Sequence, residues 1–327
     1  MKKFNQNLFK VVDMLSDEKY ISGTKMAKSL VLSRTAVWKI IKVLINYGIN
    51  IISDNKLGYK INQKLILLDR DVIGQKINYN PTKLEIFESI DSTNKFLKTT
   101  YHQDYQNHIC LSEHQSGGNA RLNRSWDSPF GQNLYLSVKH HFKKDISAIS
   151  GLSLISGISI ISTLSHLNIP NKFKIKWPND IYYEDKKISG ILIEVIGESY
   201  GGCVAIIGIG LNVNMMKLSN ENANNINHWT SLKKISEVDF DRNKICISLI
   251  NNIIRDIEKF NIMGLEHFLN DWNKYDYLAG KKITVKNHEK IIEGEYKGID
   301  EQGNLLLKVD DNIITLYSGD TSIASAK

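Results

Sequence analysis

KWPNDIYYEDKKISGILIEV, residues 176–195, joins a proline turn to a nearly all-apolar strand. Pro178 fixes the turn, so the Asn-Asp pair that ends at Asp180 is delivered beside the strand. Counting alternate positions puts Lys187 at the strand entrance, on the apolar face that includes Ile191. A lysine there either reaches solvent along its aliphatic stem or works in a site. An amide, a carboxylate and an ammonium that converge beside a buried strand indicate a site for a metal-bound phosphate.

The composition is that of a globular protein of two or three domains. The chain has 327 residues, of which 42% are hydrophobic and 24% charged, and only four are prolines, so extensive disorder is not expected. No apolar run reaches the ~20 uninterrupted residues of a transmembrane helix, and the first residues lack the apolar core of a signal peptide. These features predict a cytoplasmic protein with no membrane partner. Three widely spaced cysteines without a CxxC pair give no support for a disulfide framework or a zinc site.

All of the net positive charge lies near the amino terminus. Residues 1–60 hold 11 Lys and Arg against 4 Asp and Glu, whereas the rest of the chain holds 31 against 31. A charge asymmetry of this kind is typical of a nucleic-acid footprint on one small domain.

The pattern of this basic segment predicts a winged helix-turn-helix over residues 1–62. A short helix over residues 23–30 is followed by a tight turn and a longer helix over residues 34–47. INIISDNKLGYKIN then predicts two short strands about a turn, which is typical of a β-wing. The side chains expected to contact the major groove lie off the apolar face of the longer helix: Ser33, Arg34, Thr35, Trp38, Lys39 and Lys42. A three-helix unit with no DNA role is the plain alternative.

Two further domains follow the winged segment. Mixed strand and helix patterns over residues 63–275 predict an α+β domain, and the overall fold class is therefore α+β. Period-two alternation over residues 276–327 predicts a small antiparallel β-barrel.

Three other stretches carry residues suited to binding. EHQSGGNARLNRSWDSPFG, residues 113–131, combines paired glycines, two arginines and a tryptophan, which suit a phosphate and a planar base. By composition alone, a surface loop explains it equally well. IGIGLNVN, residues 207–214, lacks the third glycine of a dinucleotide fingerprint. DSTN, residues 91–94, suits either a helix cap or a small polar ligand.

Taken in order, ESIDSTN, EHQSGGNARLNRSW, SPFGQNLYLS, KWPNDIYYEDKKISGILIE and IGIGLNVN resemble the biotin protein ligases. With the winged segment, the match is closest to the bifunctional bacterial biotin ligases that are also biotin-operon repressors. The most specific motif is KWPND followed seven residues later by Lys187, and the resemblance covers essentially the whole chain. It implies a central catalytic domain related to class II synthetases and lipoate ligases, and an SH3-like C-terminal barrel.

The resemblance also implies a reaction and its partners. Biotin, a substrate, would react with ATP and Mg²⁺ to give biotinyl-5′-AMP, and a lysine of the biotin carboxyl carrier protein of acetyl-CoA carboxylase would then displace AMP. The adenylate would also act as corepressor, favouring a homodimer that binds operator DNA.

Residue roles follow from the same resemblance, motif by motif. Lys187 and Arg121 are the expected catalytic residues. Biotin is expected to contact Ser92, Thr93, Asn94, Gln115, Gly118, Lys187, Gly208 and Gly210. ATP and the adenylate are expected to contact Arg121, Arg124, Trp126, Asn179, Asp180, Asn212 and Trp229. Asp180 is the candidate magnesium ligand.

One loop departs from the family pattern Gly-Arg-Gly-Arg-Arg-Gly. Residues 118–123 are Gly-Asn-Ala-Arg-Leu-Asn, so Gly118 and Arg121 are kept while two arginines and two glycines are lost. We expect a loop that is less positive and less free to rearrange, with altered ordering around biotin and altered retention of the adenylate. Two alternatives stay open: a ligand-sensing winged-helix regulator with weakened catalysis, and a ligase whose DNA-binding domain no longer represses.

Overall fold

The computed structural model describes the chain in nine stretches: residues 2–3, 6–16, 19–63, 65–79, 82–100, 106–197, 202–218, 228–287 and 290–324. They form a winged domain, a central α+β domain and a C-terminal β-domain, in chain order.

The winged domain is built by short helices with serine caps. Its elements are strand β1 (Lys2–Lys3), helices α1 (Gln6–Leu15), α2 (Gly23–Leu30) and α3 (Arg34–Asn46), and the paired wing strands β2 (Ile51–Asp54) and β3 (Gly58–Ile61). Ser22 and Ser33 cap α2 and α3, because each side-chain oxygen accepts a backbone N–H three residues later. The helix-turn-helix therefore begins and ends within one residue of the predicted positions.

The central domain is an eight-stranded sheet whose two faces serve different purposes. Its elements are α4 (Arg70–Gly74), β4 (Thr82–Ser89), α5 (Thr93–Thr99), β5 (Asn107–Ser112), β6 (Leu134–Phe142), α6 (Leu152–Leu164), β7 (Phe173–Lys176), β8 (Asp180–Tyr183), β9 (Lys186–Gly197), β10 (Cys203–Leu211), α7 (Leu232–Ser236), α8 (Arg242–Met263) and α9 (Leu269–Tyr275). The strand order is β1-β4-β5-β6-β10-β9-β8-β7, and β4–β5 is a parallel pair. Helices α6 and α8 cover one face with the main hydrophobic core, whereas α5 packs on the other.

Helix α6 is the apolar centre of this core. Within the described part of the chain, one helical stretch, residues 146–164, is long and apolar enough to cross a membrane, with a mean hydropathy of 1.7. In the fold 61% of that stretch is buried, and α6 packs between the sheet and α8. Gly157 allows this close packing, since a β-carbon there would lie 3.2 Å from Ile175 Cδ1. The apolar composition is thus explained by a core helix.

The C-terminal domain docks on the turn that precedes Asn179. Its strands β11 (Lys282–Asn287), β12 (Lys290–Ile299), β13 (Leu305–Val309), β14 (Asn312–Leu316) and β15 (Asp320–Ile323) form one antiparallel sheet in the order β14-β13-β12-β11-β15. Thr321 Oγ1 donates to the Trp177 carbonyl at 2.9 Å, and Trp177 Nε1 donates to the Gly303 carbonyl at 3.0 Å. The C-terminal domain therefore fixes this turn through two hydrogen bonds to Trp177.

A buried ion pair ties the connector that follows the winged domain to the central domain. Arg242, at the start of α8, lies 2.7 Å from Glu113, and both side chains are fully buried. Arg242 also donates to the carbonyls of Ile66 and Asn133. The second oxygen of Glu113 accepts the backbone N–H of Leu68. All three guanidinium nitrogens and both carboxylate oxygens thus have partners, as burial of two charges requires.

Replacing Glu113 with glutamine removes the negative charge while keeping the shape of the side chain. The Arg242 charge then stays buried without its partner, and we expect the free energy of unfolding to fall by about 3 kcal/mol. Urea denaturation of the full chain measures it. Glu295→Gln, which breaks the exposed pair with Lys297, is the matched control and should leave the free energy of unfolding nearly unchanged. Equal losses in the two variants would show that the buried pair carries no special weight.

Candidate active site

A row of cross-strand neighbours forms a trough on the sheet face opposite α6. Gly210, Gly190, Asp180 and Lys176 are consecutive partners on β10, β9, β8 and β7, so their side-chain positions share one face. A β-carbon on Gly210 would lie 2.3 Å from Trp126 Cε2, and one on Gly190 would lie 2.9 Å from its Cζ3. The two glycines therefore make room for the indole of Trp126, which lies against their bare backbone.

Lys187 lies on this same face, and the prediction that it shares a face with Ile191 is wrong. The pairing of β9 with β8 skips Ile188, because two consecutive β8 residues have Lys187 and Ser189 as partners. One extra residue in a strand is a β-bulge, and it shifts the alternation of side chains by one position. As a result Ile188 enters the core and Lys187 projects onto the side of Gly190.

Four polar side chains converge where the trough meets the proline turn. Lys187 Nζ lies 2.7 Å from Asp180 Oδ1. Arg121 Nη1 donates to Asn179 Oδ1 at 3.0 Å, and Asn179 Nδ2 donates to the Ile191 carbonyl at 2.8 Å. The amide is thus fixed by the sheet and in turn orients the guanidinium. Lys187 and Arg121 thus bring two positive charges to this point, and Asp180 pairs with the first of them.

A second group of polar side chains lies at the start of α5. The backbone N–H and the hydroxyl of Thr93 both donate to Gln115 Oε1, at 2.9 and 3.1 Å. Ser137 Oγ lies 2.7 Å from Thr93 Oγ1 and 2.6 Å from Asn94 Oδ1. A β-carbon on Gly208 would lie 2.4 Å from Asn94 Oδ1, so that glycine is required for the approach. Ser92 serves as the N-cap, accepting from the Lys95 N–H at 3.4 Å.

Both groups open into one cavity of about 90 Å³. Twelve of the residues that the sequence predicted line it: Ser92, Thr93, Asn94, Gln115, Arg121, Arg124, Trp126, Asn179, Asp180, Lys187, Gly208 and Gly210. The cavity thus places the residues expected for biotin beside those expected for ATP.

Three predicted site residues do not line the cavity. Gly118 accepts the Trp126 N–H through its carbonyl at 2.8 Å and so closes the loop. Asn212 Nδ2 donates to the Thr230 carbonyl at 3.0 Å, because this amide anchors the segment that returns to the sheet. Trp229 pairs through its backbone with Lys187 and stacks on Lys234, whose Nζ is 4.0 Å from the ring centroid.

Comparison with known proteins identifies the family. The biotin/lipoate A/B protein ligase family model matches residues 86–214, an HTH domain model matches residues 7–60, and the biotin protein ligase C-terminal domain model matches residues 279–323. The chain is 32% identical over 326 residues to the Escherichia coli (strain K12) protein named bifunctional ligase/repressor BirA, with 99% of each chain covered. The protein belongs to the biotin protein ligase family.

Two further comparisons agree with this membership. The Salmonella typhimurium protein of the same name is 32% identical over 317 residues, with 97% of each chain covered. Among solved structures, the biotin protein ligase from Aquifex aeolicus in complex with biotin and ATP matches with a TM-score of 0.63 and 26% identity, covering 75% of this chain and 99% of that one. The predicted fold class, α+β with a winged helix-turn-helix, a ligase domain and a C-terminal β-domain, is confirmed. The exact domain boundaries stay a prediction.

This biotin protein ligase also lines its cavity with residues that the sequence did not predict. They are Asn119, Ala120, Tyr135, Leu136, Gly190, Ile191, Leu192, Ile209 and Asp320. Gly190 carries a usable signal, because a glycine inside the apolar strand of residues 186–197 indicates a close approach. Asp320 carries none, since it comes from the C-terminal barrel and no local pattern marks it.

Asp320 holds the two arginines of the ligand loop, which we define as residues 115–128. Its carboxylate lies 2.5 Å from Arg124 Nη2 and 3.8 Å from Arg121 Nη1. Both terminal nitrogens of Arg121 also donate to the Gly319 carbonyl, at 3.4 Å. Arg124 is thus the tighter partner of the barrel, whereas Arg121 keeps a face toward the cavity.

The divergent part of the ligand loop forms a compact hairpin. Asn119 bridges Ser125, and the Ala120 N–H donates to the Arg124 carbonyl at 2.7 Å. Leu122 and Asn123 both have a φ of 55°, in the left-handed region that favours glycine and tolerates asparagine. A leucine held there is strained, and 65% of its side chain is exposed without compensating burial.

The residues present fit a magnesium ion that arrives with ATP. Asp180 Oδ1 is buried, and its described contact is the ion pair with Lys187 Nζ at 2.7 Å, which a magnesium-bound phosphate could share. Asn179, its neighbour in the chain, offers an amide oxygen that Arg121 holds at 3.0 Å. Mg²⁺ keeps most of its water and phosphate ligands and takes one or two from protein. Within the described residues there is no group of three or more His, Cys, Asp or Glu that could hold a metal by itself.

The expected DNA-contacting side chains are all exposed. Ser33 begins α3, and the other five, Arg34, Thr35, Trp38, Lys39 and Lys42, lie on its solvent side. Lys42 Nζ is 5.5 Å from the Trp38 ring centroid. The helix therefore presents two lysines, an arginine and a flat ring to a partner.

We expect Asp320→Asn to loosen the ligand loop of the ligand-free protein. Loss of the charge on this partly exposed pair is worth up to about 1 kcal/mol, so trypsin should cleave after Arg124 roughly two- to fivefold faster. The rate is read by mass spectrometry of the full chain. Asp311→Asn, at an exposed turn of the same barrel, is the control and should not alter it. An unchanged rate in Asp320→Asn would mean that the barrel does not restrain the loop.

Proposed function

We propose that this protein adenylates biotin with ATP and transfers the biotinyl group to a lysine of a biotin carboxyl carrier protein. The observation that carries the proposal is one cavity in which Lys187, Arg121, Asn179 and Asp180 meet at one end and the Thr93–Gln115 network lies at the other. The cavity therefore has one end that can bind an anion and another that is polar and neutral. Biotin requires both, because it carries a carboxylate and a cyclic urea.

The neutral end is suited to the ureido head of biotin. A urea presents one carbonyl acceptor and two N–H donors, and the hydroxyls of Ser92, Thr93 and Ser137 with the amides of Asn94 and Gln115 offer both kinds of partner. In the ligand-free arrangement these groups satisfy one another. Binding therefore exchanges hydrogen bonds rather than exposing unpaired polar groups.

The charged end is suited to the first chemical step. The biotin carboxylate oxygen attacks the α-phosphorus of ATP, the new O–P bond forms, and the bond to pyrophosphate breaks. Two anions must approach, so Lys187 and Arg121 act by neutralising charge and by fixing the attacking geometry. Asp180 and Asn179 would hold the magnesium ion, which neutralises phosphate charge when it is bound.

The second step transfers the activated group. The amine of the carrier lysine attacks the biotinyl carbonyl carbon, the bond from that carbon to the phosphate oxygen breaks, and AMP leaves. Lys187 then stabilises the negative charge that returns to the phosphate. We place the ligase, its carrier protein and its operator in the cytoplasm.

Lys187→Ala should reduce transfer of labelled biotin to a purified carrier domain by at least about 100-fold, because the cavity loses the cation that faces both anions. Lys186→Ala is the matched control, because Lys186 is the adjacent residue and its exposed side chain lies on the opposite side of β9. This variant should transfer biotin normally. Biotin binding by the intact protein without any transfer would favour the sensor alternative instead.

We further propose that the winged domain represses transcription when the adenylate is bound. The exposed basic side of α3 supports DNA binding. A homodimer formed with the adenylate would present two such helices to a palindromic operator. The corepressor role then follows from linkage, because a ligand that favours the dimer must favour operator binding equally.

Lys39→Ala together with Lys42→Ala should weaken binding to a labelled duplex of random sequence. Each lost phosphate contact removes about 0.9 from the slope of log affinity against log salt, so the slope between about 50 and 200 mM salt should fall by about 2. Lys10→Ala, an exposed lysine of α1, is the control. A slope equal to that of the intact protein would show that α3 does not contact DNA.

A further inference from the structure

One side chain of the winged domain contacts residues at both ends of the ligand loop. Tyr47 directly follows α3, and its ring stacks on Phe130 with centroids 4.7 Å apart and planes at 8°. The same ring lies 5.2 Å from the His114 ring, tilted by 40°. His114 is the residue before the loop, and Phe130 is the second residue after it, so one aromatic ring contacts both stems.

The two stems form a firm base for this contact. The Gly131 N–H donates to the Glu113 carbonyl at 3.0 Å, which ties the stems together. His114 Nδ1 lies 2.9 Å from Ser89 Oγ. Phe130 is fully buried, yet it packs in the hydrophobic core of the winged domain and not in that of the central sheet. A displacement of either stem is therefore transmitted to the winged domain through packed side chains.

A hydrogen bond fixes the orientation of the Tyr47 ring. Its hydroxyl donates to Glu88 Oε1 at 2.9 Å, and Glu88 is 4% exposed. Burial, followed by the hydrogen bond to Glu88, raises the pKa of Tyr47 to about 12. The hydroxyl therefore stays protonated and remains a donor throughout the physiological range.

We propose that Tyr47 is a positioning residue for biotin and its adenylate, through which the winged domain holds the ligand loop closed. The inference rests on the proposed function for the identity of the ligand. Tyr47 lies one residue beyond α3, the helix that carries Lys39 and Lys42. When the loop closes on the adenylate, its contacts with Tyr47 thus fix the position of the C-terminal end of α3, the helix that faces DNA. Because linkage of binding free energies is reciprocal, DNA bound to α3 must in turn raise the affinity for the adenylate, and we expect to see this as slower release.

The test measures release of preformed biotinyl-5′-AMP from the full chain by rapid filtration. Tyr47→Leu keeps apolar bulk but loses the stack and the hydroxyl, and release should be roughly tenfold faster. Tyr47→Phe keeps the stack and loses only the hydrogen bond to Glu88, so its release should be faster by about threefold. Tyr20→Leu, an exposed tyrosine of the same domain, is the matched control and should release at the rate of the intact protein.

A merely structural role is separated by two further readouts on the same variants. The proposal expects the KM for biotin to rise in Tyr47→Leu while the kcat of transfer at saturating biotin is kept, and expects nonspecific duplex DNA to slow release in the intact protein but not in the variant. A Tyr47→Leu protein that unfolds with the intact transition and releases the adenylate at the intact rate would overturn the proposal. So would a loss of kcat with unchanged release, because that would place Tyr47 in the chemistry.

Failure of the proposed function gives a different result. If the intact protein forms no adenylate, measured as pyrophosphate released from ATP, the ligase assignment fails. The Tyr47 proposal is then tested by calorimetry with biotin alone, where Tyr47→Leu should still bind more weakly than Tyr20→Leu. Equal affinities in that experiment would overturn it independently.

Discussion

The buried pair of Arg242 and Glu113 fixes the point from which the ligand loop starts. Glu113 is the residue before His114, and its carboxylate binds the first turn of α8 and the connector that leads from the winged domain. Removing the charge of either partner would leave the other buried and unpaired, so the ion pair holds the three segments together. The strand end, the domain connector and the core helix thus give the loop one rigid origin.

From that origin the loop is restrained by all three domains. The sheet receives Trp126 on its two glycines, the winged domain contacts both stems through Tyr47, and the barrel holds Arg124 through Asp320. This explains why a loop with fewer arginines and glycines than the family pattern can still lie in an ordered position. Its order comes from neighbours that are distant in sequence, more than from its own composition.

The sequence predicted those features that depend on local chemistry. The tight turn before residue 34 gives the start of α3, and the proline turn gives the position of Asp180. The predicted side of Lys187 was wrong because a bulge at Ile188 adds one residue to the strand. The alternation of side chains in one strand cannot show where the partner strand leaves a residue unpaired. Gly118 and Asn212 were predicted to contact ligands, but neither lines the cavity: the Gly118 carbonyl accepts the Trp126 N–H, and the Asn212 side chain donates to the Thr230 carbonyl. Asp320 and Tyr47 could not be predicted, since each acts across domains whose docking no local pattern encodes.

The contact of Trp126 with Gly190 and Gly210 has a consequence for how this site can change over evolutionary time. The two glycines lie opposite each other on neighbouring strands, and the indole fills the space that either β-carbon would occupy. A mutation to alanine at one glycine is therefore tolerated only after the tryptophan has become smaller. A smaller residue in place of Trp126 leaves a cavity until a larger residue replaces one of the two glycines. Substitutions at positions 126, 190 and 210 are thus coupled, and divergence at this contact must pass through a less fit intermediate.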